Sequence, residues 1–534
     1  MKRLPPLHPL LAAAAPVLFL GAHNADQIEL SALTPVLAAS LTFAAIGTGL
    51  CWALLRDRTK GGLLATLCIL LFFLYGRLFD VLWEREWFSA SAHVYLALTV
   101  ASSVIAGSAL LLLWRTRSTL ETLSRATTLF TTLMFASSAW ELGKAAHEAQ
   151  APPPAKTSDA RSVPPVLEER PDKPDIYYII LDGYARLDTL KEFYRYDNRA
   201  FYQELRRRGF YVADQSRSNY MMTHLCLASI LEMRYLDEDF KKVGPKSSNK
   251  LHFYKAIYRN AAGRHLRDEG YRYVHFDTMF GGTETSEVAD IRYNVRPAWM
   301  RSEFMTVMVR TTMLRALEPS MAQSIRSMTR EVMEIPKMEG PTFTFLHLLI
   351  PHNPYVFDRD GNERANIPVT LQFEEKTGGW SGKKEYVDQL VYASRRILEV
   401  VDAIIANSPQ PPIIILQSDH GSASSYRSRQ PQKKRERFYR ERTGILNAWY
   451  APEAVKAQLT RDMAPVNTFR VLFSTLFGDP LPSLPTHNYA SWYGRPNSQR
   501  EITSFLQGYD AKKAATAATP SPPPVRSSAP ATSP

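Results

Sequence analysis

Hydrophobic positions are spread unevenly along this chain. Through the first 145 residues they form long, nearly unbroken runs; after residue 170 they alternate with polar positions at the short periods of soluble helices and strands. A bilayer core takes roughly 20 mostly apolar residues per helix. The runs Leu7–Ala22, Pro35–Leu55, Gly62–Trp83, His93–Trp114 and Leu120–Trp140 approach or meet that length. Residues 1–145 are therefore expected to form a transmembrane domain of about five helices, the first of which could instead be a signal segment. Basic residues sit before the first run (Lys2, Arg3), after the second (Arg56, Arg58, Lys60) and between the fourth and fifth (Arg115, Arg117, Arg125), whereas the other loops are acidic. The positive-inside rule then puts the N-terminus in the cytoplasm, and five crossings export everything after Trp140. A multi-pass protein of the plasma (inner) membrane with an extracytoplasmic, periplasmic C-terminal part is expected. Arg77 and Asp80 stand three apart on one helix face, close enough to pair.

Residues 146–174 are rich in Pro, Ala and charge, the composition of an extended spacer. Residues 511–534 contain little beyond Ala, Thr, Ser and Pro and are expected to be disordered. Between them, residues 175–510 read as one α/β unit. Short apolar runs at Asp175–Leu181, Phe343–Leu349 and Ile413–Leu416 have the size of buried strands, as do FYVA after Gly209 and YRYVHF after Gly270. Helical patterns cover Ala200–Arg208, Ala262–Asp268 and Tyr386–Ala406, the last with Tyr386, Leu390, Ala393, Ile397, Val401 and Ile404 on one face. Such alternation predicts a central, mostly parallel sheet with helices on both faces. Its ligands belong beyond the carboxyl ends of the strands.

Composition changes this picture little. The 45% apolar and 22% charged residues are ordinary as averages, and the net charge of +12 suits an anionic membrane surface or phosphate-bearing substrates. There is no zinc-finger or helix-turn-helix pattern, so no nucleic-acid partner is expected. Of three cysteines, Cys51 and Cys68 fall in expected spans and Cys226 stands alone in the exported part, which excludes an internal disulfide there.

The chemistry gathers at strand ends. Asp182-Gly183-Tyr184 follows YYIIL, and Ser418-Asp419-His420-Gly421 follows IIILQ. Two strand-terminal acids, one with an adjoining His, make an oxygen and nitrogen set suited to Zn or Mn, although either acid could merely cap a helix or turn. Thr223, in NYMMTHLCLAS, could cap a helix or act as a metal-activated nucleophile at a helix start. His347 and His352, in HLLIPHNPY, could hold a phosphoryl oxygen or move a proton. Arg186 and Asp188 follow the first acid and either touch substrate or lie in a solvated turn. The run Arg427–Arg442 reads as a solvated basic loop, or as a hold on anionic lipid.

Taken in order, Asp182, Thr223 in NYxxT, His352 in PHxPY and Asp419-His420 in SDHG resemble the alkaline phosphatase/sulfatase superfamily. With the preceding spans, the chain particularly resembles the lipoteichoic acid synthases and lipid A phosphoethanolamine transferases. The resemblance implies one divalent metal ion (Zn or Mn, alternatively Mg or Ca) on Asp182, Thr223, Asp419 and His420. It implies a Thr223 nucleophile and a substrate-binding His352; His347 and Arg186 are further candidate substrate contacts, read from their positions after strand ends. A membrane phospholipid is the implied donor, and an envelope glycan or water the acceptor. There are departures. The lipoteichoic acid synthases carry Glu where Asp182 stands, and Cys226 lacks the C-x-P-x-R context that a sulfatase matures to formylglycine. A phosphodiesterase, phosphatase or sulfatase-type hydrolase, or a silent envelope scaffold, are the alternatives.

Overall fold

The computed structural model describes residues 6–84, 88, 91–148, 173–297, 300–364, 382–426, 432–492 and 495–518. Most of the expected linker and the tail beyond Ala518 lie outside them. Five helices open the chain: α1 (His8–His23), α2 (Leu33–Leu55), α3 (Arg58–Glu84), α4 (Ser91–Arg115) and α5 (Glu121–Glu148). Three of these, α2, α3 and α4, are long and apolar enough to cross a membrane. At 16 residues α1 is shorter, roughly 24 Å at 1.5 Å per residue. Its Ala12–Ala15 stretch is buried, small side chains letting neighbouring helices approach closely. The longer α5 carries Thr127, Thr128, Thr131 and Ser138, whose hydroxyls donate to carbonyls one turn back in the same helix. His8 joins three helices, with Nδ1 2.6 Å from Thr66 Oγ1 and Nε2 3.2 Å from Ser124 Oγ.

Both ends of this bundle are identifiable. At one end, Lys60 Nζ donates to the Thr116 carbonyl, bringing the two basic loops together. At the other, Asp26 accepts from the backbone N–H groups of Lys250 and Leu251, and Glu29 pairs with Lys255. The α/β unit thus rests on the end opposite the basic loops. Asp80 does not pair with Arg77: its partner is Arg315 of the α/β unit, 2.8 Å away.

The unit is built on a seven-stranded sheet in the order β2-β7-β6-β1-β5-β3-β4. The strands are β1 (Ile176–Leu181), β2 (Tyr211–Val212), β3 (Arg272–Phe276), β4 (Ile291–Tyr293), β5 (Thr342–Leu348), β6 (Ile413–Gln417) and β7 (Asn447–Tyr450). From β6 to β4 neighbours run parallel, whereas β7 pairs antiparallel with β6 and with β2. The expected mostly parallel sheet is therefore present, with an antiparallel edge. Alternation along β1 splits the core in two. Tyr177, Ile179 and Leu181 pack on one face with Leu390, Ile397 and Ile404 of α8 (Lys383–Asn407, after α6 at Thr223–Leu231 and α7 at Glu303–Thr311). Ile176, Tyr178 and Ile180 pack on the other with Leu225 and Leu227 of α6. Because both faces are covered, β1 reads as a continuous apolar run. Two further helices, α9 (Gln432–Thr443) and α10 (Thr503–Ala518), complete the elements needed here. The boundary expected at residue 511 thus falls inside a helix.

Candidate active site

Three adjacent parallel strands, β6, β1 and β5, deliver side chains to one edge of the sheet. Asp182 follows β1; its N–H donates to Leu348 O (2.9 Å) and its carbonyl accepts from His352 N–H (3.0 Å). Gly183 turns the chain with φ +71°, a left-handed conformation that costs glycine least. Its N–H then donates to Asp419 Oδ1 (3.1 Å). Tyr386 of α8 fixes this turn, its hydroxyl donating to Gly183 O (2.9 Å) and accepting from Ala185 N–H (3.1 Å). His347 lies within β5, opposite Ile180.

These placements converge. His420 Nε2 is 3.1 Å from Asp419 Oδ2 and 3.7 Å from Asp182 Oδ1, and His347 Nε2 is 3.4 Å from Asp182 Oδ2. Two groups able to hold a metal ion emerge among the described residues: Asp182 with His352 and His420, and Asp182 with His347 and Asp419. Within each, the donor atoms lie within 4.8 Å of one another. Asp182 Oδ1, Asp419 Oδ2 and His347 Nε2 are buried without a hydrogen-bond partner, a costly state unless a ligand is to be held. Burial would raise the Asp182 carboxyl, but His352, His347 and His420 around it hold it well below the usual range. Burial and the Asp182 charge instead push Asp419 up. Burial pulls both His352 and His420 below the ordinary imidazole range.

Thr223 is the first residue of α6, and the cap position falls to Met222, so the hydroxyl does not cap the helix. Thr223 Oγ1 lies 3.0 Å from His420 Nε2 instead. It is also less buried than the acids beside it. Two rival nucleophiles point elsewhere. Cys226 Sγ donates to Tyr220 O, and burial pushes its thiol well up; Ser229 Oγ donates to Arg234 O.

Two arginines exchange the parts suggested by the sequence. Arg186 is clamped away, its Nε and Nη2 on Asp188 (2.7 and 3.0 Å) and its Nη1 on Ser216 O (2.9 Å). Its guanidinium is buried, its partner Asp188 is half-exposed, and Arg186 is not a member of the cluster. Arg442, at the end of the basic run read as a solvated loop, is buried at the site. It donates from Nε to Met221 O (2.9 Å), from Nη1 to Gly421 O (3.0 Å) and from Nη2 to His420 Nε2 (2.8 Å). The loop before Thr223 and the loop after His420 are thereby cross-braced. Glu441 holds the same loop, accepting from Ser422 Oγ (2.9 Å), Ser424 N–H (2.6 Å) and Ser425 N–H (2.8 Å). A Cβ at Gly421 would collide with the Glu441 carbonyl, so only glycine permits this approach. The sequence did hold one signal: the basic run leads into the apolar strand LNAWY, and its last turn has to pack. His487 lies outside the cluster and pairs with Glu501 (2.8 Å).

Residues 194–449 match the family model for sulfatases. The chain carries a sulfatase domain. That domain makes this a sulfatase-like enzyme, and the matched span contains Thr223, His347, His352, Asp419, His420 and Arg442. Among solved structures, the chain is similar to the C-terminal periplasmic domain of EptC from Escherichia coli, at 12% identity over 62% of this chain and 93% of that one (TM-score 0.41). It is similar to the corresponding domain of phosphoethanolamine transferase EptC from Campylobacter jejuni, at 12% identity over 59% and 96% (TM-score 0.37). A putative sulfatase from Bacteroides thetaiotaomicron shows 11% identity over 64% and 92% (TM-score 0.39). No curated protein matches the chain.

Proposed function

We infer that this sulfatase-like enzyme transfers a phosphodiester headgroup from a membrane phospholipid to an envelope glycan, through a phosphorylated Thr223. The observation that carries this reading is the Thr223 hydroxyl, at the start of a helix, beside a cluster whose buried carboxylate and imidazole atoms lack partners. The cluster fits a divalent ion: Asp182, Asp419, His420 and His347, whose Nε2 is buried without a partner, would hold it, with Thr223 at the open side. Bound there, Zn or Mn would supply Lewis-acid stabilisation of the phosphoryl oxygens and ease ionisation of the hydroxyl.

The chain's own groups do the rest. The N-terminus of α6 favours the incoming phosphate charge. Arg442 offers a fixed guanidinium beside the phosphoryl position. Thr223 Oγ bonds to phosphorus as the bond from phosphorus to the diacylglycerol oxygen breaks; the proton lost by the threonine balances the one that oxygen takes up. In the second half, a glycan hydroxyl attacks phosphorus and the bond to Thr223 Oγ breaks. His352, whose Nδ1 is held by Asn353 O (2.6 Å) and whose ring burial keeps neutral, accepts the incoming hydroxyl's proton.

In this reading α1–α5 make the membrane domain of residues 1–145, the N-terminus is cytoplasmic, residues 146–174 are the spacer and residues 175–510 work outside. Placement of the catalytic unit on the end away from Lys60 and Thr116 supports that side assignment. The test is mass spectrometry of the full chain after incubation with native envelope lipids. A headgroup-phosphate mass on the peptide containing Thr223 is expected; an unmodified Thr223 during measurable turnover would sink the mechanism. Release of free headgroup phosphate without glycan modification would assign water as the acceptor.

A further inference from the structure

One segment of the catalytic unit is packed into the membrane bundle instead of against its own sheet. Along α7, Phe304 and Met308 share a buried cluster with Ala12, Ala13 and Val17 of α1 and with Ile69 and Phe73 of α3. Backbone meets backbone at Gly76 of α3, where a methyl group would overlap the Arg310 carbonyl and the Thr311 Cα. After α7 comes a 3-10 turn, Met313–Leu317. From it Arg315, only 4% exposed, reaches back to α3. Its Nη1 donates to Gly76 O (3.1 Å) and to Asp80 Oδ1 (2.8 Å), and its guanidinium carbon stands 4.2 Å from the Phe79 ring centre. Met313 packs beside Tyr75 and Phe79.

The rest of the turn faces the other way. Leu314 and Leu317 are 39% and 62% exposed, alongside Leu78 and Val81 of α3 at 44% and 53%. An apolar pair that continues the outward belt of a membrane-crossing helix is solvated best by hydrocarbon. Two neighbouring charges are spent inward, Arg315 on Asp80 and Arg310 on Glu318 (2.6 Å), and the exposed Arg77 beside Leu78 has a stem long enough to carry its charge to the headgroups.

We propose that Glu303–Leu317 is a docking tongue: α7 locks onto α1 and α3, and Leu314 and Leu317 sit among the acyl chains of the outer leaflet. This rests on the reading of α2, α3 and α4 as membrane-crossing. The tongue also leads to the active site. Glu303 lies against Gly281, and its N–H donates to Glu284. The same turn carries Thr283, whose Oγ1 is 3.0 Å from His347 Nδ1. The height of the cluster above the bilayer is thus set by side chains buried between helices, and the spacer at 146–174 need not set it.

The test uses the full chain in phospholipid nanodiscs, with Cys51→Ala and Cys68→Ala and nitroxide labels on Leu317→Cys, Leu314→Cys, Leu78→Cys and Leu50→Cys in turn. Relaxation by oxygen is compared with relaxation by a water-soluble nickel chelate. At positions 317 and 314 oxygen should dominate by several-fold, as it should at 78. A chelate-dominated signal at 317 and 314, with oxygen dominant at position 50 on α2, overturns the tongue and leaves the membrane reading standing. Chelate dominance at position 50 as well overturns both.

Discussion

Two buried polar clusters flank the turn after β1, and they differ in one respect. Around Arg186 and Arg217 every guanidinium nitrogen has a partner: Arg186 on Asp188 and Ser216 O, Arg217 on Asp510 (2.6 and 3.2 Å) and Thr443 Oγ1 (3.2 Å). Around Asp182, four residues earlier, three buried atoms have no partner and two carboxylates face each other. A fold that can satisfy one cluster so fully has the means to satisfy its neighbour. The difference separates scaffold from site: matched charges hold the loops, and unmatched ones wait for a ligand.

The largest expected effect tests the unmatched side. Thr223→Ala should lower turnover by about 10³-fold or more, the scale for loss of a covalent nucleophile, while metal content measured by elemental analysis stays near the unmodified level. Cys226→Ala should retain most activity on a nitrophenyl phosphodiester; the opposite ranking would move the chemistry to the thiol. On the matched side, Arg186→Ala leaves the half-exposed Asp188 and the Ser216 carbonyl without their partner and should cost about 2 kcal/mol of stability. Chemical denaturation would show this, with metal per folded chain unchanged. Equal loss of metal would mean that the two clusters are one.

A smaller effect of opposite sign is expected at the site. Asp419→Asn removes the repulsion with Asp182, so the chelator-treated variant should be more stable at neutral pH by about 1–2 kcal/mol, yet bind metal poorly. A less stable variant would show that Asp419 is already compensated. The smallest effect concerns Glu284, which burial, with the Glu303 charge added, raises from the ordinary 4.5 to about 7. Between those values the folded state keeps a proton that the unfolded state has released. The stabilisation is complete below about pH 4.5 and is lost as pH rises through about 7. Glu284→Gln should therefore gain about 1–2 kcal/mol over the unmodified protein at pH 8 and nothing near pH 4.5. A pH-independent difference would show that hydrogen bonding, and not the charge, governs this acid.

What was legible in the sequence follows the same division. β1, β5 and β6 are buried on both faces, so they read as apolar runs, and an acid directly after such a run has to lie at the sheet's edge. The helix Lys383–Asn407 showed its buried face in its spacing. Partners distant in sequence left no such trace. Arg186 and Arg442 look alike in a string of letters; only the carbonyls of Ser216, Met221 and Gly421, brought in by the fold, tell them apart. β4, with three residues, and β7, reading NAWY, are too short for a periodic signal. The segment at Glu303–Thr311 has helical spacing, but nothing in its spacing says that its apolar face belongs against α1 and α3.

The pairing of β1 with β6 has a consequence for the order of events in biogenesis. Gly183 and Asp419, joined by one hydrogen bond, are 236 residues apart in the chain. Contacts of such long range close late in folding, after the loop entropy between them has been surrendered. Arg442, which braces both loops, lies further on still. In the proposed reading, a chain threading outward from its N-terminal end presents Thr223 well before anything can activate it, and the hydroxyl becomes competent only when Asp419, His420 and Arg442 have followed it across.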